Sequence, residues 1–423
     1  MAVSADTKRG PAADVAKLGA RAEAMLSELG RISTEPQRLI RLFLSPEHRR
    51  ASDLIAGWMR EADMTVSEDA LGTLRGHWRP EKKKRLLIGS HIDTVIDAGK
   101  YDGPLGVVTG ILAVQELSAR GADLPFGIDV LAFGDEEGSR FRTTLAGSSA
   151  CAGVFDRASL AFPDRNGVTL GDALKAYGKN LDDIATAAYD PADVVGYVEV
   201  HIEQGPVLEA QKLPLGVVTG IVGQSRMRVI VLGDAGHAGT VPMRMRHDAL
   251  AGAAELMLAV EQTALENEDD GMVATVGRIE ANPGATNVIP GRVGFSLEFR
   301  SSTDEKRKAA IELIKRDAQR MGVRRKLEFV FEPFHETSTT ACTPYMQNLF
   351  ADAIASLGYE PIRLPSGAGH DAQVMAKLCP MAMLFVRCKG GISHNPAEFA
   401  SEQDMGLAIV ALLRFIEAFA KKA

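Results

Sequence analysis

The sequence predicts an α/β protein: a large domain with a mixed, mostly parallel sheet flanked by helices, and a smaller α/β sandwich inserted into it. Three observations predict it. The chain has 423 residues, too many for one ordinary core. From Met64 onward, strand-like apolar runs alternate with helix-patterned segments, as in a sheet covered by helices. Between about Gly220 and Phe334 the pattern changes to amphipathic strands and helices that read as a unit of their own.

Taken in order, Ala13–Leu29 and Arg49–Met64 carry apolar residues at helical spacing. Four short apolar runs read as strands: Arg85–Ser90, Ile128–Phe133, Val194–Val200 and Met381–Val386. Leu105–Arg120 fits a helix that opens right after Asp102-Gly103-Pro104, with proline near the first turn. In the insertion, Gln224–Leu232, Met272–Glu280, Arg292–Phe299 and Lys326–Phe331 read as strands. His247–Gln262 and Lys306–Met321 read as helices. The resulting strand–helix–strand–strand–helix–strand order suggests a small sandwich. The expected domains are 1–219 with 335–423, and 220–334 between them. No internal repeat or low-complexity stretch interrupts this plan.

Hydrophobic residues make up 46% and charged residues 24%, ordinary values for a soluble globular protein. Acidic residues outnumber basic ones by 55 to 48, a formal charge of −7. That balance argues against nucleic acid or an anionic membrane as main partner, so a few local cations must hold any anionic substrate. No apolar run approaches the roughly 18–20 residues of a membrane helix. Met1–Lys17 is polar and alanine-rich, unlike a secretory signal. Cys151, Cys342, Cys379 and Cys388 show no CxxC pairing. Buried free thiols in a reducing cytosol are the simpler reading, and zinc-ribbon and disulfide frameworks drop out.

Each of the four apolar runs leads into residues that suit a metal: His91, Asp135-Glu136-Glu137, His201 and, after a glycine loop, His394. In open α/β sheets, sites form beyond the carboxyl ends of strands, where residues distant in sequence converge. Gly89–Thr94 and Lys100–Gly103 supply His91, Asp93 and Asp102 in one short window. Imidazole and carboxylate suit a borderline divalent cation, and an aspartate can also hold a ligating ring from behind. Taken alone, this window is as readily a structural turn. Asp135-Glu136-Glu137 alone reads more simply as a solvated acidic turn. Adjacent carboxylates repel unless a cation or proton intervenes, and one of two glutamates could bind while the other serves as base. Four such strand ends together favour a two-metal site over chance polar loops.

In order along the chain stand GSHIDT, YDGPLGV, GDEEGSRF, HIEQGPVLE, GHAGTVPM, PGATNVIPG, SGAGHDA and GISHNPAE. This series, from about Arg41 onward, resembles the M20 metallopeptidase superfamily. Within it, the chain is similar to the hydantoinase/carbamoylase amidases: allantoate amidohydrolases, N-carbamoyl-L-amino-acid hydrolases and β-ureidopropionases. The short interval between His91 and Asp102, and a histidine at position 201, match that branch.

The resemblance implies two divalent cations per subunit, manganese or zinc by family habit, with cobalt or nickel also compatible. His91 and His201 would bind one, Glu137 and His394 the other, and Asp102 would bridge them. Asp93 would orient His91, and Glu136 would be the general base acting on the attacking water. The insertion would be a lid that also forms a homodimer. From it His237, reaching across from the partner subunit, would meet the scissile carbonyl oxygen as it becomes an oxyanion. Asn287 and Arg300 would grip the substrate carboxylate, Arg300 through its planar fork. Gln204 would touch the ureido or carboxylate group, and Gly369 and His370 would line the substrate. Without the resemblance, Arg300 reads as a surface strand arginine and Gly284–Gly291 as a simple hairpin loop.

The implied activity is metal-assisted hydrolysis of the ureido C–N bond of allantoate by a cytoplasmic enzyme. Arg38–Pro46 and Phe133–Thr144 look closest to allantoate amidohydrolases. An N-carbamoyl-L-amino-acid hydrolase or a β-ureidopropionase is the alternative. A non-catalytic metal-bearing binding protein would have lost Glu136 or a ligand, and all are present.

Overall fold

A computed structural model describes residues 11–422; the beginning of the polar N-terminal stretch, 1–10, lies outside them. The chain divides into two compact units, 1–219 with 342–423, and 220–341. Before the insertion come β1 (Thr65–Glu68), β2 (Leu74–Trp78), β3 (Arg85–His91), β4 (Gly127–Phe133), β5 (Val194–Ile202) and β6 (Leu215–Ile221). The insertion holds β7 (Gly223–Leu232), β8 (Gly236–His237), β9 (Val273–Thr275), β10 (Ile279–Asn282), β11 (Val288–Ile289), β12 (Arg292–Ser301) and β13 (Glu328–Thr337). Then follow β14 (Thr340–Ala341), β15 (Arg363–Ser366) and β16 (Met381–Val386).

The large sheet runs β1-β2-β4-β3-β5-β16-β6-β14, with β15 also on β6. Its centre, β4-β3-β5-β16, is parallel, and the pairs β1–β2, β2–β4 and β16–β6 are antiparallel. This is the mixed, mostly parallel sheet flanked by helices that the apolar runs predict. Every residue of β3, β4 and β16 is buried, as a sheet covered on both faces requires. The helix Pro104–Ala119 lies against this centre, buried along most of its length. A Cβ at Gly106 would fall 2.4 Å from the Val200 carbonyl oxygen, so glycine is what lets the first turns rest on β5. That close approach brings Asp102, two residues before the helix, to the strand ends.

Several boundaries move for identifiable reasons. His91 and His201 belong to their ladders rather than lying beyond them: His91, paired with Phe133, is the last residue of its ladder, and His201, paired with Phe385, is the last but one. The second helix spans Pro46–Glu61 because the Ser45 hydroxyl accepts the His48 N–H and Pro46 opens the first turn. Met272–Glu280 is two strands, β9 and β10, since the Ser296 hydroxyl draws the N–H groups of Gly277 and Arg278 to itself. The insertion ends at 341, not 334, because β13 stays on β7 as far as Thr337. Among the described residues, no helix is long and apolar enough to cross a membrane.

The smaller unit is an antiparallel sheet, β10-β12-β7-β13, with β9 also on β12. The helices Ala249–Leu265 and Asp304–Arg325 close a core with Met227, Val229, Val231, Phe295, Leu297 and Phe299. Arg307 is fully buried beside it. Its guanidinium donates to Ser225 Oγ at 2.9 Å, Asp304 Oδ1 at 2.7 Å and Glu336 Oε1 at 3.1 Å. One side chain thus ties the helix Asp304–Arg325 to the start of β7 and the end of β13. Breaking a buried pair costs roughly 3–5 kcal/mol, and Glu336, with its side chain 53% exposed, pulls the value to the low end. Arg307→Met should therefore lower the unfolding free energy in denaturant titration by about 3 kcal/mol. Lys315→Met, which removes an exposed pair with Glu312, should leave the midpoint in place.

Candidate metal centre

Because β4, β3, β5 and β16 are parallel neighbours, their carboxyl ends form one row, and the chemistry-bearing residues gather there. His91 ends β3, Glu136 and Glu137 follow β4, His201 lies at the end of β5, and His394 follows β16. They meet at the carboxylate of Asp102. Its Oδ1 lies 3.6 Å from His91 Nε2 and 3.2 Å from His201 Nε2, and its Oδ2 lies 3.4 Å from His394 Nε2. Glu137 Oε2 is 3.5 Å from His394 Nε2. Two sets of three ligating atoms, His91–Asp102–His201 and Asp102–Glu137–His394, each fall within 4.8 Å of one another.

The far nitrogens of the two buried rings decide what the near ones can do. His91 Nδ1 donates to the Asp93 carbonyl at 3.0 Å, and His201 Nδ1 donates to the Ile202 carbonyl at 2.9 Å. In a neutral ring this places the proton on Nδ1 and leaves a lone pair on Nε2. His201 Nε2 is buried without a hydrogen-bond partner, facing Asp102. Two lone pairs at that distance repel unless a proton or a cation lies between them. Ligating histidines are tied back through the other nitrogen in this way, so the residues present fit a divalent cation.

The electrostatics agree. Burial works against the charge on Asp102, but positive charge on the His201 and His91 rings, the part a cation would play, outweighs it and holds the carboxyl well below its usual range. Burial pushes the Glu136 carboxyl well above its ordinary value, against the pull of His91. Glu137 is pushed up to about 8 by burial, with Asp102 and Asp93 adding to the rise. Protons relieve such crowding by neutralising the carboxylates or by charging His91 and His201, whose rings are raised despite burial because Asp102 lies beside them; a cation relieves it with the carboxylates charged and the rings neutral.

Some expected roles change. The Asp93 carboxylate does not hold His91: it lies 3.7 Å from Nδ1, and the backbone carbonyl takes that bond. The carboxylate instead accepts the N–H groups of Glu136 at 3.2 Å and Glu137 at 3.3 Å, fixing the loop that carries both glutamates. Glu136 Oε2 lies 3.9 Å from His91 Nε2. A Cβ at Gly369 would come within 3.9 Å of Glu136 Oε1, so this glycine borders the glutamate directly. His370, expected against the substrate, is only 1% exposed. It packs edge-on to His201 with ring centroids 4.4 Å apart, its Nε2 2.7 Å from Ser366 Oγ. Gln204 Nε2 donates to Asp102 Oδ2 at 2.7 Å, which leaves its Oε1 buried without a partner.

The motifs did not single out Glu199, buried two residues before His201. It accepts hydrogen bonds from Ser90 Oγ, Tyr197 Oη and the Ala372 N–H at 2.8–3.1 Å. With His201 and His370 it forms a third set of converging ligand atoms. Its oxygens are already occupied by those donors, so it supports the His201 strand end. A charged residue inside the apolar run Val194–Val200 was the available signal.

In the smaller unit, GHAGTVPM and PGATNVIPG meet as a ribbon in which β8 pairs with β11. His237 stands opposite Val288, and the Ala238 N–H donates to the Asn287 carbonyl at 2.9 Å. Both His237 and Asn287 are exposed. Arg300 lies on β12 opposite Gln224. Its Nε donates to Glu298, which also accepts Gln224 Nε2 at 2.7 Å and Arg226 Nε at 2.9 Å.

Gly103 offers a direct perturbation of the centre. Its φ of 83° suits glycine, and a Cβ there would fall 2.5 Å from His91 Nε2. Gly121, at φ 62°, has open space around the corresponding position. Gly103→Ala should lose bound manganese on dialysis, while Gly121→Ala, which carries only the backbone strain, should keep it. Elemental analysis of the two dialysed variants makes the comparison.

Comparison with known proteins places this geometry in a family. The model for peptidase family M20/M25/M40 matches residues 87–418. The chain is 42% identical to the allantoate deiminase of Arabidopsis thaliana, over 94% of this chain and 81% of that one. It is 39% identical to the N-carbamoyl-L-amino acid amidohydrolase of Geobacillus stearothermophilus, over 93% of this chain and 97% of that one. Among solved structures, a hydantoinase/carbamoylase family amidase from Burkholderia multivorans superposes with a TM-score of 0.89 at 32% identity, covering 95% of this chain and 98% of that one. The chain belongs to peptidase family M20/M25/M40 and, within it, to the hydantoinase/carbamoylase amidases.

Proposed function

We propose that the protein is a two-metal amidohydrolase that cleaves the ureido C–N bond of allantoate, releasing ammonia and carbon dioxide. The observation that carries this reading is the pair of buried imidazoles, each tied back through Nδ1 and turning Nε2 onto Asp102. His91 and His201 would hold one divalent cation and Glu137 and His394 a second, with Asp102 available to both. The donor set suits manganese or zinc and accommodates cobalt or nickel. Bound there, such cations would supply a lowered pKa for a water and polarisation of a carbonyl.

The remaining work falls to the chain. Glu136, its carboxyl raised by burial, takes the proton of the attacking water and returns it to the leaving nitrogen. Asp93 keeps Glu136 aimed through the loop N–H groups. His237 Nδ1 accepts the Gly239 N–H at 3.1 Å, so its neutral ring carries the proton on Nε2 and can donate to a developing oxyanion. Arg300, whose Nε donates to Glu298, would hold the substrate carboxylate together with Asn287. Gln204 Oε1 is free to accept a ureido N–H.

The insertion serves as lid and as the surface of a homodimer, a reading supported by Leu258 and Val323, exposed at 66% and 84% on its two helices. His237 acts across that dimer. The four cysteines, all buried and free, support a reducing cytosol. The second reading, an N-carbamoyl-L-amino-acid hydrolase, is favoured by the similarity to the bacterial carbamoylase. Both substrates carry a ureido group beside a carboxylate-bearing carbon.

Hydrolysis with added manganese, read as ammonia from the ureido substrates and as free amino acid from the N-acetyl ones, separates the readings. Allantoate should give the highest kcat/KM in a panel with N-carbamoyl-L-methionine, N-carbamoyl-β-alanine and N-acetyl amino acids. A preference for N-carbamoyl-L-methionine would establish the second reading, and a preference for N-acetyl substrates would exclude both. Glu136→Gln should keep its metal and lose at least roughly 10²-fold in kcat. An unchanged kcat would remove Glu136 as the base.

A further inference from the structure

We propose that Glu398 is a positioning residue that fastens the loop of Asp102 to the loop of His394, and thereby sets the affinity of the second metal position. This rests on the two-metal reading. Glu398 is 5% exposed, four residues beyond His394 and 296 residues from Asp102 in sequence. Its Oε1 accepts the main-chain N–H groups of Tyr101 at 2.9 Å and Asp102 at 3.1 Å. Its Oε2 accepts the hydroxyl of Ser393, the neighbour of His394, at 3.1 Å. One buried carboxylate therefore grips the backbone of the shared ligand with one oxygen and the loop of the outer ligand with the other.

The two metal positions depend on this grip unequally. His91 and His201 are buried on strands of the central sheet and tied to carbonyls next to them. His394 sits on a loop with φ 54° and a side chain 51% exposed. The hydroxyl of Ser393 also reaches Asp102 Oδ2, at 2.5 Å. A hydroxyl has one proton to give. With Asp102 engaged by a cation, that proton goes to Glu398, and the link between the loops tightens. Glu398 also has no room to move toward residue 99, where a Cβ in place of Gly99 would fall 2.3 Å from its carboxyl carbon.

The test titrates manganese(II) into chelator-stripped protein and reads bound metal per subunit, with thermal unfolding followed in parallel. Wild type should take two equivalents; failure to do so would refute the two-metal reading itself, separately from the role of Glu398. Glu398→Ala should keep the first equivalent and weaken the second by roughly 10–100-fold, the usual effect of removing an outer partner of a ligand. Ammonia release should recover as manganese saturates, as expected of a residue that touches neither substrate nor water. Glu398→Gln should bind both equivalents as wild type does, because an amide oxygen accepts the same two N–H groups and its NH2 can donate to Ser393 Oγ. Gly99→Ala, pressing on the carboxylate from the other side, should weaken the second equivalent too, and it decides the matter alone if Glu398→Ala does not fold. Unchanged second-site affinity, or equal weakening of both equivalents, would overturn the proposal.

Discussion

The carboxylate of Asp102 is 4% exposed, and three imidazole nitrogens converge on it while Glu136 and Glu137 crowd in from the β4 end. Burying so many ionisable groups together is costly unless positive charge is shared among them. Much of the surrounding structure can be understood as meeting that condition. The backbone carbonyls of Asp93 and Ile202 take the histidine protons, and the Asp93 carboxylate takes the N–H groups of the two glutamates. Glu199 is fully hydrogen-bonded behind His201, so it adds a buried charge without leaving an unsatisfied one.

The sheet makes this convergence possible. Parallel strands deliver their last residues to one edge, and the helix that follows Asp102 lies close enough to reach them only because Gly106 rests against β5. The two buried histidines therefore sit on strands of that sheet, with Asp102, Glu136 and Glu137 on segments just beyond its strand ends. Groups proposed to meet the substrate, His237 and Asn287, sit on an exposed ribbon of the smaller unit. Precision belongs to the rigid scaffold and adaptability to the exposed segments. His394 belongs to the second kind, and for that reason the fastening by Glu398 matters most there.

The proposed ligands were legible in the sequence because polar residues stop apolar runs abruptly, and such stops in parallel strands mark one edge of a sheet. The insertion was legible because its amphipathic alternation differs from the fully buried central runs. What escaped depends on tertiary contacts. Periodicity shows that Asp93 is near His91 but not that its carbonyl, rather than its carboxylate, takes the ring proton. The resemblance puts His370 against the substrate, whereas the fold closes it against His201. A single hydroxyl, Ser296, divides β9 from β10, and no local pattern announces such a contact. Glu398 stood at the end of a recognised motif, yet its partners lie at Tyr101 and Asp102, where only the fold brings them.

The central claim is that two cations share the Asp102 carboxylate. Anomalous diffraction at the manganese edge, from crystals grown with manganese, tests it most directly. The account predicts two peaks about 3.5–4 Å apart, the spacing usual in two-metal hydrolases. Both should lie at coordinating distance from Asp102, one also on His91 and His201 and the other on Glu137 and His394. A single peak, or two peaks that do not share Asp102, would contradict it.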